Sequence, residues 1–213
     1  MKKILMSIQP KWCEKIFSGE KTIEVRRNRP KLEPPFTVYV YCTKAKNIRE
    51  DGLYLLPNDK ELYLGCKEKD LGFVCWEGDF RNGKVIGSFV CDEIYAFFPW
   101  GAGIACEDID GNLIPALKVC EETCLTGAEI YKYFLGNGKE TFEGYGWHIT
   151  EPKLFDKPKE FYELYAPCKK NKQTADENCK GCSYAYKGVT TGEIYCDNAL
   201  IRPPQSFCYV EEY

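Results

Sequence analysis

The sequence predicts a mixed α+β fold, a small mixed β-barrel of roughly five to seven strands with two or three helices around it. Short alternating runs such as Phe36–Cys42 are typical of half-buried strands. Asn82-Gly83 lies between two strand-like runs and is a strong hairpin signal. Apolar residues recur at helical spacing over residues 11–17, and a capping residue with a following glycine delimits Gly127–Leu135, which indicates two short helices.

Local signals place these elements along the chain. Pro10 suits the first position of the first helix, and Gly19 ends that helix because glycine tolerates a positive φ. Thr126 is suited to cap the second helix. Polar, turn-rich residues 44–70 are expected to form an insertion or a long loop. The predicted strands cover Lys3–Ile8, Phe36–Cys42, 71–76, 85–95, 145–149 and 153–155.

Length and composition restrict the classes of protein to which this chain can belong. A chain of 213 residues with 44% hydrophobic residues can bury a sizeable core, and we expect one domain over 1–165 with an appendage over 166–213. No run approaches the ~20 apolar residues that a membrane-spanning helix needs. Charges at Lys11, Glu14 and Lys15 interrupt any signal-peptide core, so we expect a cytoplasmic protein without a membrane partner.

Charge is distributed unevenly. The net charge is −3, yet residues 1–50 hold 12 Lys and Arg against 5 Asp and Glu. A basic N-terminal part on an acidic body favours an anionic ligand near the basic part. The overall balance does not suit a protein that coats nucleic acid in bulk, so any such contact should be local.

The stretch Gly19–Arg27 concentrates the polar chemistry. If residues 22–26 are extended, Ile23 and Val25 point into a core, since strand side chains alternate between faces. Lys21 lies at the bend after Gly19 and is able to turn toward the opposite, polar face. That face carries Thr22, Glu24 and Arg26. Such a patch is suited to a polar ligand that is anionic or carries carbonyl groups.

Two motifs then resemble a known family. Ser7-Ile8-Gln9-Pro10, a helix, and Gly-x-Lys-x-x-Glu-x-Arg over residues 19–26 are similar to the opening of the ASCH family, within the PUA-like superfamily of small β-barrels. The runs at 83–87 and 145–149 also resemble it, so the likeness covers about residues 1–165. It implies a cleft for RNA or a nucleotide-like ligand. We expect that cleft to be lined by Lys21, Glu24 and Arg26, with Arg27 at its rim.

The resemblance also implies an enzyme as an alternative. One branch of the family removes the acetyl group from N-acetylated cytidine with a lysine, a threonine and a glutamate. The lysine position falls on Lys21, the threonine position on Glu24, and the nearest match to the glutamate is Glu121, with Glu122 also possible. A metal-independent RNA-cleaving enzyme is a related alternative. A protein-interaction module that uses the Cys-rich tail is the third.

Cysteine is abundant, with 13 residues. Eight are scattered through residues 13–124, and we expect them to be small buried hydrophobic residues in a reducing compartment. The Cys179-Lys-Gly-Cys182 knuckle with two partners would suffice for one structural zinc. The expected ligands are Cys168, Cys179, Cys182 and Cys196, the last ahead of Cys208. A redox dithiol and unliganded thiols are the alternatives, and no organic cofactor is expected.

His148 is the only histidine, so any Ser-His or Cys-His catalysis would have to use it. Trp147 and Ile149 flank it, and on a strand they would face away from it. We expect a structural or ligand-orienting hydrogen bond from His148 rather than a role as a general base.

Overall fold

A computed structural model of the chain describes residues 3–44, 53–56, 60–63, 83–101, 103–135, 142–166, 185–187, 190, 193–196, 200 and 202–211. It confirms a mixed α+β fold. In chain order the elements are β1 (Lys3–Ile8), α1 (Pro10–Phe17), β2 (Ile23–Arg26), β3 (Phe36–Cys42), β4 (Leu53–Leu56), β5 (Lys60–Tyr63), β6 (Val85–Cys91), β7 (Ile94–Trp100), β8 (Gly103–Glu107), α2 (Ala116–Thr123), α3 (Gly127–Leu135), β9 (Gly144–His148), β10 (Thr150–Lys159), a 3-10 turn (Phe161–Glu163), β11 (Ala185–Lys187), β12 (Ile194–Cys196) and β13 (Phe207–Val210).

The strands form two main sheets rather than the closed barrel that the sequence predicts. The first sheet has the order β10-β6-β3-β1-β13 and the second the order β2-β9-β7-β8, with β4-β5 and β11-β12 as separate hairpins. In the described part of the chain, no hydrogen-bonded ladder joins the edges of the two main sheets. Side-chain packing joins them instead: the Trp147 ring of β9 lies 5.6 Å from the Phe36 ring of β3, centroid to centroid, and both belong to one core cluster.

The last strand lies beside the first. β13 pairs antiparallel with β1, which places Val210 opposite Lys3 and Phe207 opposite Met6. β1 in turn pairs in parallel with β3. The end of the chain therefore belongs to the main sheet, and an appendage over 166–213 that is wholly separate from the domain is not confirmed.

The predicted elements agree with the structure in some places and differ in others. Helices α1 and α3 occur where the sequence predicts them. The expected loop over 44–70 contains the β4-β5 hairpin, the expected strand over 85–95 breaks at Asp92 into β6 and β7, and α2 was not predicted. The break arises because β6 pairs with the first sheet while β7 pairs with the second. The expected strand over 71–76 lies outside the described residues.

Several predicted buried cysteines are in the core. Cys13, Cys42, Cys91 and Cys106 are buried, whereas Cys120 and Cys124 are half-buried and Cys66 and Cys75 lie outside the described residues. Burial raises the pKa of Cys91 and of Cys106 to about 12, so both remain neutral thiols near pH 7. Among the described helices, none has the length and apolar character to cross a membrane.

A close approach of two strands leaves no room for a side chain at Gly87 of β6. A Cβ there would overlap the Lys153 carbonyl oxygen of β10 and lie 2.6 Å from the Phe17 ring. We expect Gly87→Ala to lower the free energy of unfolding by about 1–3 kcal/mol, as overpacking does. Gly127→Ala is the matched control, since a Cβ at Gly127 meets nothing within 4 Å. Urea unfolding of both variants tests this, and equal stability would contradict the packing described.

Candidate functional site

A cavity of about 520 Å³ opens between α1, β2 and α3. Its volume lies within the range of small-molecule sites in proteins. The end of β1 and the segment before β13 complete its wall. The residues that line the cavity include Gln9, Lys11, Trp12, Lys21, Glu24, Arg26, Glu129, Tyr133 and Gln205.

The alternation predicted for β2 places its charges on the cavity side. Ile23 and Val25 pack in a core cluster with Phe97 of β7. Glu24 and Arg26 face the other way and line the cavity, together with Lys21 from the bend before the strand. Three predicted site residues therefore converge on one concave surface.

Glu24 forms the centre of this cluster. One of its carboxylate oxygens lies 2.8 Å from Nη2 of Arg26, and the other lies 3.5 Å from Nζ of Lys21. The three residues are only 2%, 6% and 7% exposed, for Lys21, Glu24 and Arg26 respectively. Burial strengthens these interactions, but a charge left there without its partner would be costly.

The position of the Lys21 side chain depends on α2, the helix that the sequence did not predict. Its Nζ donates a hydrogen bond of 2.7 Å to the carbonyl oxygen of Thr123, the last residue of α2. A helix C-terminus favours a positive charge. Burial nevertheless lowers the pKa of Lys21, and the Glu24 carboxylate acts in the opposite direction. The ammonium also lies 5.2 Å from the Trp12 ring centroid.

Arg26 connects β2 with β1 and with the segment that precedes β13. Its Nη2 donates to the carbonyl oxygen of Ser7 at 2.8 Å, and its Nη1 donates to Oγ of Ser206 at 3.4 Å. Its buried Nε has no hydrogen-bond partner among the described residues. Both terminal nitrogens of the guanidinium thus have partners within the protein, and the group serves as a fixed positive charge beside the cavity.

Arg27, which was expected at the rim, contacts Tyr133 of α3. Its Nε and Nη2 donate to the carbonyl oxygen of Tyr133 at 3.0 and 2.6 Å, and its guanidinium carbon lies 5.0 Å from the Tyr133 ring centroid. Arg27 is exposed but is not among the residues that line the cavity. It holds α3 in place, so that the Tyr133 side chain forms part of the wall.

The remaining polar candidates lie away from the cavity. Glu121 is exposed on α2 and does not line it, and neither does Thr22, whose hydroxyl is buried without a described partner. Glu129 of α3 is the nearby carboxylate that does line it. The Glu129 amide donates to Oγ1 of Thr126 at 3.3 Å, which confirms the predicted cap of α3, and the Glu129 carboxylate accepts from the Thr126 amide at 2.8 Å in return.

His148 makes a hydrogen bond away from the cavity. Its Nδ1 lies 2.7 Å from a carboxylate oxygen of Asp92, and its ring centroid lies 5.8 Å from that of Tyr95. This agrees with the expected structural hydrogen bond. His148 is not among the residues that line the cavity.

Three of the four expected zinc ligands lie outside the described residues. Cys168, Cys179 and Cys182 lie outside the described residues, and for Cys196 only the backbone in β12 is described. Cys208, the alternative fourth ligand, is half-buried on β13 as a thiol whose pKa burial raises to about 11. The described residues alone contain no group that could hold a metal ion.

The fold and the cavity together define a two-sheet α+β domain with a ligand-sized, charged site. Residues 6–72 match the family model described as the ASCH domain. This match confirms the predicted resemblance over that part of the chain. No curated protein matches the chain.

Solved structures similar to this chain include two of one protein from Zymomonas mobilis. The crystal structure of ASCH from Zymomonas mobilis has 13% identity and a TM-score of 0.46, covering 98% of this chain and 87% of that chain. A mutant of the same protein has 12% identity and a TM-score of 0.45, covering 99% of this chain and 91% of its own.

The lowered pKa of Lys21 predicts a distinctive pH dependence. Between the folded pKa and the ordinary value of 10.5, the unfolded chain binds more protons at Lys21 than the folded chain does. Stability contributed by this residue therefore rises with pH across that window. We expect the unfolding free energy of the wild type minus that of Lys21→Met to increase from pH 7 toward pH 10.5.

Lys15 provides a control of opposite sign. Its hydrogen bond to Glu20, 2.7 Å long, raises the pKa of Lys15, so its contribution is lost as pH rises through the folded pKa. The wild type minus Lys15→Met difference should therefore stay level from pH 7 toward pH 10.5 and fall only at higher pH. Titrating groups that interact with neither lysine contribute equally in all three proteins and cancel. Urea unfolding at several pH values measures both differences, and parallel trends would contradict the assignment.

Proposed function

We propose that the cavity binds RNA or a nucleotide-like ligand beside the Lys21–Glu24–Arg26 cluster. The observation that carries this is the convergence of two buried cations and one carboxylate on a cavity of about 520 Å³ with aromatic side chains in its wall. The ASCH domain, a PUA-like fold, is generally linked to RNA binding, which supports the same conclusion.

The charge of the cavity favours a short ligand or a few phosphates. Three cations line it, Lys11, Lys21 and Arg26, against two carboxylates, Glu24 and Glu129. A net excess of one positive charge attracts an anion but cannot neutralise a long phosphate backbone. Lys11 is the cation best placed to meet a phosphate, because it is exposed while the other two are buried.

Aromatic rings supply the second type of contact. The half-buried Trp12 and the 39% exposed Tyr133 both line the cavity, on α1 and α3 respectively. Stacking of a base on an aromatic ring contributes about 1–3 kcal/mol in single-stranded nucleic-acid complexes. The ammonium of Lys11 lies 4.2 Å from the Trp12 ring centroid. A base that stacks on the Trp12 ring would displace the exposed Lys11 ammonium toward the phosphate of the same nucleotide.

Catalysis is the second candidate, and one observation favours it. Lys21 is a buried amine with a lowered pKa in a cavity, which is a common property of catalytic lysines. Hydrolysis of an N-acetylated nucleoside or cleavage of RNA would use it for proton transfer. Glu24, at the threonine position of the acetyl-removing relatives, is held in ion pairs with both neighbouring cations. We therefore expect binding without turnover of N-acetylated cytidine.

Binding of short single-stranded RNA tests the proposal. We expect Trp12→Ala to weaken affinity by about 5- to 150-fold, the equivalent of one lost stack, and Trp12→Phe to retain most of it. Lys11→Gln should reduce the slope of log affinity against log salt by about 0.7, for one phosphate on a single strand. Fluorescence anisotropy over a salt series measures both quantities.

Lys118→Gln is the matched control for Lys11→Gln. Lys118 is also an exposed helical lysine, on α2, and it does not line the cavity. Its loss should leave the salt slope unchanged. Affinity that is indifferent to salt, to Lys11→Gln and to Trp12→Ala would contradict RNA binding here and favour a protein partner. Consumption of RNA or of N-acetylated cytidine that Lys21→Met abolishes would favour the enzyme instead.

A further inference from the structure

The cavity wall includes a residue far outside the matched ASCH segment. Gln205 lines the cavity, although the family match ends at residue 72. The backbone around it is fixed on both sides: the Ser7 amide donates to the Ser206 carbonyl oxygen at 2.8 Å, and the Ser7 hydroxyl donates to the Pro204 carbonyl oxygen. Gln205 is thus presented to the cavity from an anchored segment.

The hydrogen-bonding capacity of the cavity is divided between two kinds of group. Lys21, Glu24 and Arg26 direct most of their hydrogen bonds to one another and to backbone carbonyls. The amides of Gln9 and Gln205 are exposed and make no hydrogen bond to any described residue. The buried cluster therefore sets the electrostatic potential, whereas the two amides retain both donors and acceptors for a ligand.

We propose that Gln205 is a specificity-determining residue whose side-chain amide reads the hydrogen-bonding edge of an unpaired nucleobase in the cavity. This rests on the proposed RNA binding and deepens it. A primary amide offers a donor beside an acceptor, the pattern with which side chains recognise base edges. Trp12 and Tyr133 would hold the base by stacking, which leaves its edge to the amide.

The amide chemistry makes the proposal testable by a change of one atom. Gln205→Glu replaces the donor with a second acceptor. Guanine is the RNA base that presents two adjacent donors, the N1–H and the N2 amino group, to a carboxylate. We therefore expect Gln205→Glu to raise the affinity ratio of guanine over adenine by about 10-fold relative to the wild type. Gln205→Ala should reduce the differences among the four bases.

The probes are five-nucleotide oligouridine strands with one variable central nucleotide, titrated by fluorescence anisotropy against the full chain. A ratio between two bases cancels the general repulsion that a new carboxylate adds. Leu117→Glu is the control, because Leu117 is 72% exposed on α2 and does not line the cavity. It adds the same charge and should leave every base ratio unchanged.

The outcomes separate this inference from the proposed function. Base ratios that change with both Gln205 variants and not with Leu117→Glu support it. Strands that bind with ratios unaffected by Gln205→Glu and Gln205→Ala overturn the role of Gln205 while RNA binding stands. Absence of binding to any strand by a folded wild type overturns RNA binding itself, and this inference with it.

Discussion

The Glu24 carboxylate, held between the Lys21 ammonium and the Arg26 guanidinium, is the interaction on which the site depends. All three side chains are nearly inaccessible to water, so removing one partner would leave a buried charge uncompensated. The surrounding protein supplies the acceptors that such charges need: Thr123 at the end of α2 receives a hydrogen bond from Lys21, and Ser7 at the end of β1 receives one from Arg26. The cluster therefore ties three elements together around one carboxylate.

This constraint also explains why the cavity is built from distant parts of the chain. Ser206, just before β13, accepts from Arg26, and the adjacent Gln205 lines the cavity. On the other side, Arg27 fixes the carbonyl of Tyr133 and so places an aromatic ring in the wall. Fixed walls reduce the conformational entropy that the protein loses when a ligand binds, which favours the recognition of a small, shaped ligand such as a single base.

Local sequence predicted the centre of the site well. The alternation of β2 was enough to separate Ile23 and Val25 from Glu24 and Arg26, because strand geometry has a period of two. Gly19 likewise marked the bend, with φ +81, that brings Lys21 to the same surface. α3 was predictable because Thr126 and Glu129 form a local capping box.

The rest of the site arises from contacts that no local pattern encodes. α2 escaped prediction because Leu117 faces solvent and only Val119 and Thr123 of its eight residues are buried, which leaves little apolar periodicity. Gln205 lies 179 positions after Arg26, and only the pairing of β13 with β1 brings its segment to the cavity. The expected β-barrel was confirmed only as a mixed α+β fold of two sheets for a similar reason: strand patterns reveal faces, but they do not reveal which edges pair.

Photo-crosslinking tests most directly whether a base enters this cavity. A five-nucleotide RNA with a central 4-thiouridine would be irradiated with the full chain, and the crosslinked peptide identified by mass spectrometry. Binding beside the buried cluster predicts crosslinks at Trp12 or Tyr133, lost when unlabelled RNA competes. Trp100 is the internal comparison, since it is 64% exposed on β7 and does not line the cavity. Crosslinks at Trp100 and none at the cavity would contradict the account.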